Sequence, residues 1–307
     1  MPERETDLVE VLCNLCQGSE VRIKFRSPPS RYTPQDPIHF QAATDVYGDF
    51  GRIVQCRACH LVYTNPRLGS SEVLRQYADV EDEEYASEDS SRSINAHFSL
   101  NTIRKFAPGG RLLDIGSAAG YFLNAARLHF SAEGVEPARQ AAELARTRLK
   151  LPVFSGGLED AKIPSDRFDV ICLSDVIEHL PDPFATLREA ARISRPGGLL
   201  YIVTPNIASF TARLLGSKWW GLRPAHLYYF SPSTLRAMLD KAGYDVILMR
   251  SYGRVFRMAY WLSRLRNYSP MLNRLLRWGI RSFGIEHKLV YLNTMDSIEC
   301  CARRRSA

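Results

Sequence analysis

A mostly parallel α/β sheet flanked by helices, preceded by a small cysteine module, is the fold class this 307-residue sequence predicts. Three features carry it. From about residue 95 onward, short apolar runs ending in glycine turns or acids alternate with helical patterns, as in strand–helix–strand units. Two Cys-x-x-Cys pairs, Cys13/Cys16 and Cys56/Cys59, stand ahead of that region. A 45% hydrophobic composition can bury one full α/β core plus one small module.

Residues 1–68 read as a zinc-ribbon-like module. A two-residue gap lets both sulfurs of a pair face one ion, and two pairs complete a tetrahedral set. Cys13, Cys16, Cys56 and Cys59 are therefore the expected ligands of a structural zinc, since four thiolates leave no position open for water. Pro28, Pro29, Pro34 and Pro37 in the 39-residue spacer suit an irregular loop with short strands. The run CRACH at 56–60 also matches a haem-attachment pattern, but that chemistry follows export, and the charged N-terminus lacks a signal-peptide profile. A redox dithiol would leave the second pair unexplained, and His60 reads as a surface or neighbouring residue rather than a fifth ligand.

Residues 69–94 follow as a short helix over 70–77, with Ser70 or Ser71 as N-cap, and an acidic stretch. Positions 79–93 hold seven acids among serines and tyrosines, which suits a solvated connector or a mobile lid. The run LLDIGSAAG at 112–120 is a buried strand entering a glycine turn, with a helix from Tyr121. A second apolar run ends at Glu136, 22 residues after Asp114. Glycines let the backbone approach a nucleoside, and a carboxylate at the tip of the next strand can take both ribose hydroxyls. A pyrophosphate fingerprint wants G-x-G-x-x-G, whereas here Gly116 and Gly120 flank Ala118, and Tyr121 follows. The turn suits a ligand without phosphate, S-adenosylmethionine. A strand over 167–173, a helix over 184–193, the turn 195–198 and a strand over 199–203 come next. Ser231 as N-cap, Pro232 at the first helical position and Gly243 beyond the end bracket a helix over 234–241. Strands over 244–249 and 296–302 enclose a basic segment.

The motifs FDVI at 168–171, EHLPDP at 178–183, RPGG at 195–198 and HLYYFS at 226–231 resemble those of class I S-adenosylmethionine-dependent methyltransferases, in their small-molecule branch. The resemblance covers roughly residues 108–252 and the last dozen. It implies a Rossmann-like seven-stranded mixed sheet with helices on both faces, whose closing strand runs antiparallel between its neighbours. It also implies that Asp114, Gly116, Ala118 and Gly120 surround the methionine half and ribose of the cofactor. Leu158 and Glu159 would then meet adenine, and Asp175 the ammonium group. Sugar C-methyltransferases are similar in carrying an N-terminal cysteine-pair module, which would either cover the substrate cleft or cap the fold. Their H-E-H-F-S-Y-F-S motif places its second histidine at His226, and Ala225 stands where they have glutamate.

His226 is the candidate general base, because a hydroxyl or acidic C–H acceptor must lose a proton and imidazole has a suitable pKa. A loop-orienting histidine is the alternative. Glu178 and His179 are expected to start a helix, where an acid is favourable in the first turn. Trp219, Trp220, Tyr228 and Tyr229 either stack a substrate or pack. The expected reaction is methyl transfer to oxygen or carbon of a small molecule: a sugar, a lipid-linked species or a natural-product intermediate. An RNA methyltransferase remains a rival, although base-amino methylation usually brings N-P-P-[YF] where Ser174, Asp175, Val176 and Ile177 stand. A cofactor-binding scaffold without turnover is a third reading.

The net charge of +7 is local. Residues 246–285 hold eight arginines and no acid, so removing them leaves −1 for the rest, which makes nucleic acid a poor partner. The basic amphipathic insertion, about 254–289 within a catalytic region 95–307, can rest on anionic lipid, cover the substrate site or form a dimer face. The chain is expected to be cytoplasmic, with a peripheral position at the inner face of a membrane compatible with that insertion.

Overall fold

The computed structural model describes residues 8–27, 50–80, 89–265 and 268–306, so the four prolines at 28–37 and most of the acidic stretch lie outside the described residues. Strands β1 (Val21–Phe25), β2 (Ile53–Cys56) and β3 (Val62–Thr64) precede helices α1 (Ser70–Ala78) and α2 (Asp89–Phe106). The alternating region follows as β4 (Arg111–Ile115), α3 (Tyr121–Ala126), β5 (Ser131–Glu136), α4 (Arg139–Arg148), β6 (Val153–Ser155), β7 (Phe168–Ser174), α5 (Pro183–Ile193) and β8 (Ser194–Pro205). It ends with α6 (Phe210–Leu215), β9 (Tyr228–Tyr229), α7 (Pro232–Lys241), β10 (Tyr244–Ser251), β11 (Arg254–Arg257), α8 (Met258–Ser263), α9 (Pro270–Ser282), β12 (Leu289–Leu292) and β13 (Ser297–Arg304).

Seven strands form one sheet in the order β10-β13-β8-β7-β4-β5-β6. The expected mixed sheet is present: β4 to β8 run parallel, and β13 lies antiparallel between β8 and β10. Its central strands are covered on both faces, which is why they read as nearly unbroken apolar runs. Alternate residues serve opposite sides. Leu113, Ile171, Leu173, Leu200 and Ile202 enter one core, while Leu112, Val170, Cys172, Leu199 and Val203 enter the other. The first core also contains Leu15, Val54, Leu61, Tyr63 and Tyr228, so the cysteine module packs directly onto the sheet.

A second sheet has the order β1-β2-β3-β9. Its last strand comes from the segment after β8, with Val62 opposite Tyr229 and Tyr63 opposite Tyr228.

Local expectations fare unevenly. Ser231 caps α7 through a capping box, with Pro232 in the first turn and Gly243 at φ +91 beyond the end, as the sequence predicts. Helix α1 instead has Gly69 at its N-cap and no side-chain cap. The turn expected at 195–198 is absorbed into β8, with Gly197 at φ +72 taking up the irregularity. The expected helix start at Glu178 and His179 is also corrected. Both lie in a turn, because Asp182 accepts from the Ala185 N–H and Pro183 occupies the first turn, so α5 begins only there. The basic insertion contains two helices, closed by an antiparallel β11–β12 ribbon that the sequence did not suggest.

Candidate active site

The four cysteines converge. Cys13 Sγ lies 3.3 Å from Cys59 Sγ, Cys16 Sγ lies 3.5 Å from Cys56 Sγ, and all four sulfurs fall within 4.8 Å of one another. Tetrahedral zinc with Zn–S near 2.3 Å would hold its sulfurs roughly 3.8 Å apart, so the donor set fits that ion. Each pair is followed by a residue in left-handed backbone, Gln17 (φ +61) and His60 (φ +64), which turns the chain back around the sulfurs. His60 is exposed and outside the cluster. Burial pushes the Cys56 thiol up, but hydrogen bonds from the Cys59 N–H, the Cys16 side chain, the Ala58 N–H and the Cys59 side chain together outweigh it and bring the thiol down to about 7.

One cavity of about 730 Å³ opens above the carboxyl ends of the parallel strands. Gly116, Ala118, Glu136, Leu158 and Glu159 line one end. Glu136 is only 7% exposed. Its two oxygens each accept a backbone N–H, from Ala118 at 2.7 Å and Ala138 at 2.8 Å. Burial raises its pKa against those two donors. The carboxylate is thus locked across the glycine turn, with further lone pairs to offer a diol. Ala118 itself sits at φ +47 and Gly116 at φ +73; a Cβ on Gly116 would come within 2.5 Å of Val176.

Two expected cofactor contacts do not line the cavity. Asp114 is buried beneath it, where burial and the nearby Glu136 raise its pKa well above the usual range. Gly120, at φ +83, allows close packing, since a Cβ there would meet Leu151 at 2.6 Å. Asp175 does line the cavity, but it is held by both Arg254 nitrogens at 2.5 and 2.6 Å. Nothing local announced this bidentate pair, which joins a strand tip to β11.

His226 stands at the other end of the same cavity. Its Nδ1 lies 2.9 Å from the Gly221 carbonyl, which can only accept, so Nδ1 carries the hydrogen and Nε2 keeps its lone pair. Burial, then His179 and Arg223, lower its pKa well below 6.5, so the ring is neutral. His179 packs edge-on at 4.6 Å; burial lowers its pKa to about 4, and Tyr77 Oη approaches its Nδ1 at 2.6 Å. Glu178, buried and bonded by Thr204 at 2.9 Å, is raised to about 8, chiefly by burial. Ligand atoms of Glu178, His179 and His226 lie within 4.8 Å of one another. Trp219 and Trp220 line the cavity, both indoles donating to Asp296. Tyr228 and Tyr229 instead pack away from it, Tyr228 under Arg67. Tyr77, His179, Arg223, Arg254 and Arg264 line the cavity as well; Arg254 and Arg264 come from the basic insertion, for which covering the substrate site was one of the expected roles.

Comparison with known proteins bears on the family and the fold. The family described as "Methyltransferase domain" matches residues 89–248. A ubiquinone biosynthesis O-methyltransferase of Cereibacter sphaeroides is 31% identical over 166 residues, half of this chain and 66% of that protein. Its counterpart from Maricaulis maris is 32% identical over 165 residues, 49% of this chain and 65% of that protein. The chain thus spans just under two thirds of the length of these curated relatives. Among solved structures, an S-adenosylmethionine-dependent methyltransferase from Archaeoglobus fulgidus superposes with a TM-score of 0.51 at 19% identity, over 73% of this chain and all of that one. A chain from the complex of the Haloferax volcanii Trm112 methyltransferase activator with a methyltransferase superposes at 0.52 with 17% identity, over 73% of this chain and 96% of that one. These likenesses are to the fold alone. With the family match extending over more than half of its residues, the chain belongs to the methyltransferase-domain family.

Proposed function

We propose that this chain is an S-adenosylmethionine-dependent methyltransferase that methylates an oxygen of a small molecule, with His226 as the base. The observation that carries the reading is one continuous cavity with the Glu136 carboxylate and glycine turn at one end and a neutral, correctly tautomerised histidine at the other. Relatives named as O-methyltransferases favour oxygen over carbon. When bound, the cofactor supplies an electrophilic methyl group. Gly116, Ala118, Glu136, Leu158 and Glu159 would hold it, and Asp114 would act from below by fixing the turn. His226 would take the acceptor's proton at Nε2, and positioning of the two reactants would supply most of the rate. The test is direct: calorimetric titration with S-adenosylhomocysteine, then turnover of radiolabelled S-adenosylmethionine with hydroxylated acceptors. A protein that binds neither donor nor product refutes the reading.

Cys13, Cys16, Cys56 and Cys59 would hold one structural zinc per chain. Helix α9 supports a second element of the proposal, a peripheral seat on anionic lipid. Met271, Leu275, Trp278 and Phe283 are exposed at 82%, 62%, 69% and 81%, beside Arg274, Arg277 and Arg281. No helix among the described residues is long and apolar enough to cross a membrane. Sedimentation with phosphatidylglycerol vesicles, but not phosphatidylcholine vesicles, is expected, and loss of it on Trp278→Ala with Arg277→Gln. Equal sedimentation with both lipids would remove this element.

A further inference from the structure

The tautomer of His226 is set by one carbonyl. Its Nδ1 hydrogen goes to the Gly221 oxygen at 2.9 Å, so whatever places that oxygen decides whether Nε2 meets the cavity with a lone pair. Gly221 is placed by Trp219. A Cβ on Gly221 would come within 2.3 Å of the Trp219 ring, so the indole lies directly against the glycine. The Leu222 N–H closes this turn onto the Trp219 carbonyl at 3.0 Å, and the His226 N–H reaches back to the Arg223 carbonyl at 3.1 Å.

Trp219 in turn is held by Asp296. This residue is only 7% exposed. Its Oδ2 accepts the indole N–H groups of both Trp219 and Trp220, and its Oδ1 accepts the Thr294 hydroxyl. Successive side chains of an extended segment point to opposite sides, so one oxygen receives two neighbouring indoles only where the backbone turns, as it does over 219–222. The carboxylate stands on a fixed frame. The Asp296 carbonyl accepts the Asn206 N–H at 2.8 Å, and Ser297, the next residue, pairs with Pro205 in the seven-stranded sheet. Asp296 also lines the cavity, but its oxygens are engaged by three donors, which suits a support rather than a base.

We propose that Asp296 is a positioning residue for the base: through the two indoles it holds the Gly221 carbonyl against His226 Nδ1 and keeps the Nε2 lone pair facing the acceptor. This deepens the methyltransferase reading and rests on it. A neutral imidazole released from that carbonyl can carry its hydrogen on either nitrogen. With the hydrogen on Nε2 the ring would offer the acceptor's hydroxyl a donor and could not take its proton.

The test uses the full chain, isotopically labelled in its histidine ring nitrogens, and reads the His226 tautomer by NMR at neutral pH; the His226→Asn spectrum identifies its signals by their loss. The parent protein should carry the hydrogen on Nδ1. Asp296→Ala should shift the population toward Nε2–H and lower kcat roughly tenfold or more, part of what a general base supplies, with the affinity for S-adenosylhomocysteine unchanged. Asp296→Asn should keep the parent tautomer, since its amide oxygen can still receive both indoles while its NH₂ donates to the Thr294 hydroxyl. A cooperative thermal melt reports the fold of each variant. Should Asp296→Ala not fold, Trp219→Phe, which keeps an apolar ring but loses the indole N–H, is expected to shift the tautomer in the same direction. A hydrogen on Nε2 in the parent, or one that stays on Nδ1 in whichever of these two variants folds, overturns the proposal. The tautomer is read without donor or acceptor, so a parent protein that fails to bind S-adenosylhomocysteine refutes the methyltransferase reading, whereas a parent that binds it and an insensitive tautomer together refute only the role of Asp296.

Discussion

Replacing Glu136 by alanine isolates the donor half of the site. The carboxylate accepts from Ala118 and Ala138 and is nearly inaccessible, so its remaining lone pairs are aimed without rotamer freedom. A hydrogen bond to a charged acceptor contributes about 1.5–3 kcal/mol, and two ribose bonds lost together should cost about 2–4 kcal/mol, since each hydroxyl regains water. At 1.4 kcal/mol per tenfold, affinity for S-adenosylhomocysteine is expected to fall roughly 30- to 700-fold in a calorimetric titration. Glu136→Gln should fall in between, because one amide oxygen still accepts while its NH₂ meets a backbone N–H that needs an acceptor. The metal content of both variants should match the parent protein. Unchanged affinity in Glu136→Ala would refute the assignment of this strand tip to the ribose.

His226→Ala is expected to leave donor affinity intact and cut turnover about 10²- to 10⁴-fold, the usual range for a general base. Because burial lowers its pKa, the corresponding limb of the pH–rate profile should lie below 6.5, and His226→Asn should not restore activity; full turnover in that variant would remove His226 from the chemistry. Glu178 governs stability through its proton. The folded state holds that proton more tightly than the unfolded chain, whose carboxyl titrates near 4.5. Its contribution is therefore complete below that value and is lost as pH rises through about 8. Glu178→Gln, which mimics the protonated acid beside Thr204, should flatten the decline of melting temperature over that window, and an unaltered slope would show that another group sets it.

Much of the fold was legible because it is written locally. The covered strands β4, β7 and β8 are apolar runs of strand length, and the turn at 116–120 and Glu136 lie within one strand–helix–strand unit. Cys13 to Cys59 announce their own meeting through spacing. On the side of His226 the sequence pointed to His226, Trp219 and Trp220, but the pairs that build it were not legible, since they join distant segments. Asp175 meets Arg254 across 79 positions, Tyr77 meets His179 across 102, and Arg67 meets Tyr228 across 161. Charge composition drew attention to the arginines of the basic insertion as a surface, yet β11 turns Arg254 inward. The dipole argument also failed at Glu178, because Asp182 and Pro183 offered a better helix start four residues later.

The cysteine module bears on the acceptor end through β3. Thr64 donates its N–H to the Leu227 carbonyl at 2.9 Å and its hydroxyl to the His226 carbonyl at 3.1 Å. Arg67 Nη2 bridges the Pro181 carbonyl and Tyr228 Oη, each at 2.8 Å. The Cys56 knuckle forms the turn between β2 and β3, closed by the Cys56 N–H to the Leu61 carbonyl at 2.9 Å. If the four cysteines hold zinc as proposed, its release should loosen that turn and, through β3, the backbone that carries His226. The glycine turn and Glu136 are held by separate bonds within β4 and β5. Cys56→Ser is therefore expected to lose stoichiometric zinc and at least tenfold in kcat/KM for the acceptor, with S-adenosylhomocysteine affinity unchanged. Arg67→Gln should reproduce the kinetic loss while keeping the metal. If a metal-free Cys56→Ser protein turned over its acceptor at the parent rate, β3 would be a cap on the fold rather than a support for the base.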